Sequence, residues 1–198
     1  MSSHSYIAKL YSETPEAEQA AIKLTELANE SRECREEVIK ALIEALNKAD
    51  FQNYDSAFHL WARGSGILGH LKAVEALDPL IAHLDLNDGL FSASMYHEPV
   101  VLAMEEMGKV AVPKLAVSLK HNPDKEIRLA AAFCLSTIGG SEALDALNSA
   151  LGLRDRRLRP ALHYTNTAKS GKNGKFQPSH NGPRWRGFTA TDLSLQMW

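Results

Sequence analysis

Four nine-residue segments share one spacing of apolar positions: VIKALIEAL at Val38–Leu46, ALDPLIAHL at Ala76–Leu84, AVPKLAVSL at Ala111–Leu119 and ALDALNSAL at Ala143–Leu151. Each opens on two apolar residues and carries leucine at its fifth and ninth positions. Positions i, i+1, i+4 and i+8 share one face of an α-helix. Successive segments start 38, 35 and 32 residues apart, a drift that loops of unequal length explain. A second helical pattern precedes each one: EAEQAAIKLTELA ends at Ala28, AFHLWARGSGILG at Gly69, YHEPVVLAMEEMG at Gly108 and IRLAAAFCLSTIG at Gly139. The closing glycines suit left-handed helix ends. Thr14–Pro15, Asn122–Pro123–Asp124 and Ser141 mark helix starts. The pair of glycines in GSG, Gly64–Gly66, falls inside a helical pattern and implies a close helix approach or a kink.

Each unit therefore reads as helix, glycine turn, helix. A single hairpin of this kind cannot cover its own apolar face, so the units are expected to stack. The stretch IRLAAAFCLSTIGGSEALDALNSAL resembles the short HEAT-like repeat of phycobilin lyases, whose pattern is roughly V-R-x-x-A-A-x-A-L-G-x-I-G followed by A-V-x-x-L-x-x-x-L. Ile127–Arg128, Ala131–Ala132, Cys134–Leu135 and Ile138–Gly139 fall on that pattern. The third unit fits well, the second less closely, with Phe58 at the arginine position and Trp61 for an alanine. The first fits by Ala20–Ala21 alone. The resemblance spans about Thr14 to Leu151 and implies an all-α fold, a short right-handed α-solenoid of about four HEAT-like helical hairpins.

Charge adds a boundary. Residues 1–151 hold 13 Lys and Arg against 22 Asp and Glu, net −9, whereas residues 152–198 hold 9 against 2, net +7. The last 47 residues also contain only seven Leu, Ile, Val or Phe, about 15%, below the roughly 20% of packed domains. The expectation is a HEAT-like repeat domain at 1–151 and a flexible basic tail at 152–198. The tail basics are Arg154, Arg156, Arg157, Arg159, Lys169, Lys172, Lys175, Arg184 and Arg186, with Tyr164, Phe176, Trp185, Phe188 and Trp198 among them. Basic residues interleaved with aromatics fit weak contact with single-stranded nucleic acid or with an acidic protein surface.

Candidate chemistry is sparse. His97–Glu98 resembles the His-Glu pairs that hold iron in the HEAT-like deoxyhypusine hydroxylases. Here His97 takes the arginine position itself, about 100° round the helix from the expected place, and no other unit carries such a pair. The remaining histidines and the two cysteines, Cys34 and Cys134, have no metal-ligand spacing. DLNDG at Asp85–Gly89 begins like a calcium loop but has Leu90 and Tyr96 where glycine and glutamate are required. No nucleophile elbow, phosphate loop or dinucleotide fingerprint occurs. The acidic balance of 1–151 argues against the duplex binding of HEAT-like DNA glycosylases. Phycobilin lyase activity is the nearest enzymatic resemblance, although those enzymes pair longer chains.

No apolar run approaches the roughly 18 residues of a membrane span, the N-terminal stretch lacks the pattern of a secretory signal, and two isolated cysteines fit a reducing cytoplasm. The expectation is a cytoplasmic, non-catalytic scaffold or adaptor without cofactor, metal or membrane contact. Its partner would be another protein, bound on the concave face through Lys40, Glu44, Asp78, His83, Lys114, Ser118, Asp145 and Ser149. The alternative carried by the resemblance is an enzyme or chaperone handling a tetrapyrrole. Leu90, Phe91, Met95 and Tyr96, in the longest break between units, form either a second candidate contact patch or a cluster tucked under the edge of the solenoid.

Overall fold

The computed structural model describes residues 2–86 and 99–150. His97–Glu98, the Leu90–Tyr96 cluster, most of the DLNDG stretch and the whole basic tail lie outside the described residues. Within them the chain is all α-helix: α1 Ser3–Ile7, α2 Pro15–Glu30, α3 Arg32–Asn47, α4 Tyr54–His70, α5 Leu77–Ile81, α6 Pro99–Met107, α7 Val112–His121, α8 Lys125–Ile138 and α9 Gly140–Ala150. Short 3-10 turns, Val74–Ala76 and Gly108–Ala111, lead into α5 and α7. Among the described residues no helix is long and apolar enough to cross a membrane.

Local chemistry sets the helix ends. The Thr14 hydroxyl accepts from the Ala17 N–H at 3.4 Å, with Pro15 at the first helical position, where its missing N–H costs nothing. Ser31 is an extended residue that ends α2 and starts α3, its Oγ accepting from the Cys34 N–H at 3.1 Å. Asp124 caps α8 by accepting from the Glu126 N–H at 2.8 Å. Arg128 secures the same turn by donating to the Asn122 carbonyl at 2.9 Å.

The first helices of the units, α2, α4, α6 and α8, pack in series as one row. In the second row α3 reaches the turn Val74–Ala76, α5 packs on α7, and α7 on α9. One continuous core runs between the rows, and Trp61 is its largest fully buried side chain. The first row comes closest at α4 and α6. A Cβ on Gly69 would lie 2.8 Å from both the Cα and the carbonyl oxygen of Ala103, so only glycine permits this approach. Gly64 does the same more gently against the Leu46 side chain, 3.2 Å away, whereas nothing stands within 4 Å of Gly66.

Three features depart from the sequence reading. Gly69 is not a left-handed helix end. α4 runs on to His70, and Lys72 takes the left-handed conformation with φ +50. The Lys72 N–H bonds the Gly69 carbonyl and the Ala73 N–H bonds the Leu68 carbonyl, closing the helix in a Schellman arrangement. Gly108 and Gly139 do take positive φ, 64 and 67. Second, the helix expected over Ala76–Leu84 is regular only for Leu77–Ile81. Beyond it the bonds from His83 to Leu80 and from Leu86 to His83 are three-residue closures. Third, α9 starts at Gly140 rather than on Ser141.

The N-terminal segment adds α1, which packs on α2 and α3 and buries Ile7 and Leu10. Ser3, fully buried, donates to Glu37 Oε1 at 2.7 Å. This end of the stacked repeats is thereby covered.

The glycines generate a paired prediction for chemical denaturation. Gly69→Ala should destabilise by about 1–3 kcal/mol, because the new methyl meets backbone that cannot move aside. Gly66→Ala, exposed within α4, should stabilise by about 0.5–1 kcal/mol through helix propensity. Equal effects at the two sites would contradict the α4–α6 contact.

Candidate functional site

The four leucine-spaced segments align residue for residue, and their burial is periodic. Third positions Lys40, Asp78, Pro113 and Asp145 are exposed, as are seventh positions Glu44, Ala82, Val117 and Ser149. Positions three and seven differ by four residues and so share a helix face. The eighth position is another 100° round the helix, toward the first row. Accordingly His83 is half-buried and Ser118 buried. These two expected contact residues turn inward; Lys40, Glu44, Asp78, Lys114, Asp145 and Ser149 turn outward.

The structure brings some of these together. Lys114 donates to the Asp78 carboxylate across the α5–α7 contact, joining the second and third units. Glu44 meets Lys48 at 3.5 Å on its own helix. The Ser149 hydroxyl donates to the Ala146 carbonyl at 2.8 Å. Lys40 and Asp145 stand at the two ends of the row. Sequence reasoning passed over Val117, which is 60% exposed in the middle of the row, together with Val74 and Val110 in the turns that lead into α5 and α7. The signal was present, since Val117 holds the seventh position of AVPKLAVSL, but an apolar residue in a helix reads as core by default.

Residues 127–152, the α8–α9 hairpin and its immediate continuation, match the family described as PBS lyase HEAT-like repeat. The chain carries a HEAT-like repeat. No curated protein matches it. In this HEAT-like stack the outward positions of the four leucine-spaced segments form a row of exposed sites that runs through all four units.

His83 belongs to a different feature, an aromatic cluster at the joint of the first two units. Its ring stacks on Phe51 with centroids 5.6 Å apart and planes at 21°. It also packs against Trp61 at 4.3 Å. Tyr54 lies 6.3 Å from Phe51 and stacks on Phe58 at 6.2 Å. Phe51 and Tyr54 remain exposed, and the buried Trp61 Nε1 has no hydrogen-bond partner. Burial pushes the His83 pKa down, partly offset by the Asp85 carboxylate.

A second buried group sits between α6 and α8. Burial raises the Glu105 pKa against a lowering hydrogen bond with Thr137, and Glu105 Oε1 is buried without a partner. Burial, then the nearby Glu105, push the Cys134 thiol well above its ordinary value. A thiol held protonated is no nucleophile, so this pair stabilises or strains the stack rather than reacting. Among the described residues no three His, Cys, Asp or Glu side chains gather to hold a metal ion. A groove of about 320 Å³ between α1 and α2 is lined in part by Tyr6, Lys9, Glu16 and Lys23. Lys23 is already paired with Glu26 at 2.6 Å.

The two shifted groups give opposite pH dependences. His83 is depressed when folded, so its contribution is present above the ordinary value of 6.5 and is lost as pH falls below it. Glu105 is raised when folded, so stability is greatest below 4.5 and declines as pH rises through its folded value. Thermal midpoints across pH 4–8 should show a flatter acid limb in His83→Gln and a smaller loss on the rising side in Glu105→Gln. Unchanged profiles would mean that neither environment is as dry as the burial implies.

Proposed function

We propose that this protein is a non-catalytic adaptor that binds a protein partner along the outward row of its second helices, in the cytoplasm. The observation that carries the reading is Val117, 60% exposed at the centre of a row whose flanks hold Lys40, Glu44, Asp78, Lys114 and Asp145. An exposed apolar centre with a charged rim of both signs is the anatomy of a protein–protein contact. It suits a polyanion poorly, because phosphate binding needs one sign of charge. Cys34 and Cys134 are free thiols, in keeping with a reducing compartment.

A second reading, handling of a tetrapyrrole, is supported by the match of the last hairpin to the PBS lyase HEAT-like repeat. It requires a pocket with convergent polar groups. Titration with a linear tetrapyrrole, followed by its absorbance, addresses this reading directly. A saturable one-to-one shift would displace the adaptor reading.

The adaptor reading is tested by affinity capture from the native host with three forms of the full chain. Val117→Asp should lose the captured partner by at least about tenfold, the 1.4 kcal/mol of one buried apolar contact. Lys23→Glu, on the first row and far from the face, should retain it. A partner held equally by both variants would place the interface elsewhere.

A further inference from the structure

The outward face of the second helices differs from unit to unit. Besides the third and seventh positions, the residue just before each leucine-spaced segment is exposed: Glu37, Glu75, Val110 and Glu142. Only in the third unit are all three positions apolar, Val110, Pro113 and Val117, with Val110 43% and Val117 60% exposed. Val110 lies in the 3-10 turn, where residues three apart eclipse, and Pro113 and Val117 share a face of α7. The three therefore form one stripe along α7, about 10 Å long at 1.5 Å per residue. Lys109 and Lys120, both exposed, stand at its two ends.

The neighbours on either side carry carboxylates at the corresponding positions. α5 and its leading turn present Glu75 and Asp78 on one side, and α9 presents Glu142 and Asp145 on the other, all exposed. Both helices pack on α7. Lys114 pairs with Asp78 and offsets one charge on the first side. No ion pair among the described residues involves Glu142 or Asp145, so the α9 side keeps both of its charges.

We propose that the Val110–Pro113–Val117 stripe receives an amphipathic helix of a partner protein, its apolar face flanked by lysine or arginine on both sides. This occupant presupposes the adaptor reading and specifies the chemistry of its partner. The carboxylates select basic flanks, because a helix with acidic flanks would set like charges against each other on both sides. A helix also fits where a strand does not. Packed helices lie about 8–10 Å apart, so the two lines of carboxylates stand about that far to either side of α7. A helix with its side chains is about 10–12 Å across and can direct an apolar stripe at α7 and a flank at each neighbour. A strand sends alternate side chains to opposite faces, so half of them would point away. Helix anchors at i, i+3 or i+4 and i+7 match the span from Val110 to Val117.

The test uses the full chain and two synthetic peptides of about five helical turns. Each carries one leucine stripe, flanked by lysine in the first and by glutamate in the second. Fluorescence anisotropy at physiological salt should show the lysine peptide bound at least about tenfold more tightly. Glu142→Lys with Asp145→Lys should reverse the preference, weakening the lysine peptide and strengthening the glutamate peptide by about tenfold each. The gain of binding separates this result from misfolding. Val117→Ser, which removes the apolar contact without adding charge, should weaken the lysine peptide about tenfold. Glu18→Lys with Glu30→Lys, the same charge change on α2, should leave it within about twofold, since salt screens distant exposed charges. Equal affinity for the two peptides would overturn the proposal. So would an equal loss from the α2 reversal, which would reduce binding to the attraction of an acidic chain. A lysine peptide that binds only after Arg154, Arg156, Arg157 and Arg159 are replaced by glutamate would make the chain's own basic segment the occupant, overturning it too. The failures are distinguishable: native-partner capture indifferent to Val117→Asp removes the adaptor reading, whereas capture that depends on Val117 without discrimination between the peptides removes the helix alone.

Discussion

Every helical hairpin in this chain is apolar on more sides than it can cover by itself, and only a neighbouring hairpin can complete it. That constraint is met most tightly where Gly69 lets α4 approach the backbone of α6 at Ala103. The same need explains the alternation of small and large residues. Alanines such as Ala17, Ala20, Ala131 and Ala132 are buried on the first helices of the units, and leucines such as Leu42, Leu80, Leu115 and Leu147 are buried on the second. It also explains why α1 exists. The helix is only five residues long, too short to form alone, and it is held by packing on α2 and α3.

How far the sequence reveals this depends on whether a feature is periodic or relational. The leucine spacing is periodic, so the helices, their order and the all-α fold were legible. The caps were legible too, because Thr14 and Asp124 act on their own neighbours. Gly69 was not, because its role is set by Ala103, which lies 34 positions away. Its place at the end of an apolar run imitated a helix terminus, while the true left-handed residue, Lys72, carries no sequence mark. The shortened α5 was hidden for a similar reason. ALDPLIAHL has a helical pattern throughout, but the chain tightens after Ile81, where His83 packs in the aromatic joint with Phe51 and Trp61.

The candidate face shows the same division. Positions three and seven of each second helix point to water in all four units, and spacing placed Lys40, Glu44, Asp78, Asp145 and Ser149 there, although Pro113, Ala82 and Val117 at the same phase were passed over. His83 and Ser118 were chosen because residue type was allowed to outweigh helix phase. A polar side chain at the eighth position faces the first row, whatever its chemistry. Val117 is the converse, an apolar residue at an outward phase. Phase predicts direction better than polarity does, and a residue whose polarity contradicts its phase is the more informative one. At such positions packing gains nothing from the residue type that is present.

This separates what holds the molecule from what it offers to others. The ion pairs Lys23–Glu26, Arg32–Glu36 and Glu44–Lys48 are local in sequence and exposed, whereas Asp78–Lys114 joins two units in the second row. Exposed pairs of this kind contribute about 0–1 kcal/mol each, whereas a single buried leucine contributes about 1.5–3 kcal/mol. The outward row could therefore change most of its side chains with little effect on the stack. Folding leaves those positions almost unconstrained, so packing within the described stack does not require the valine at 117; under the adaptor reading proposed above, a partner is what would set it.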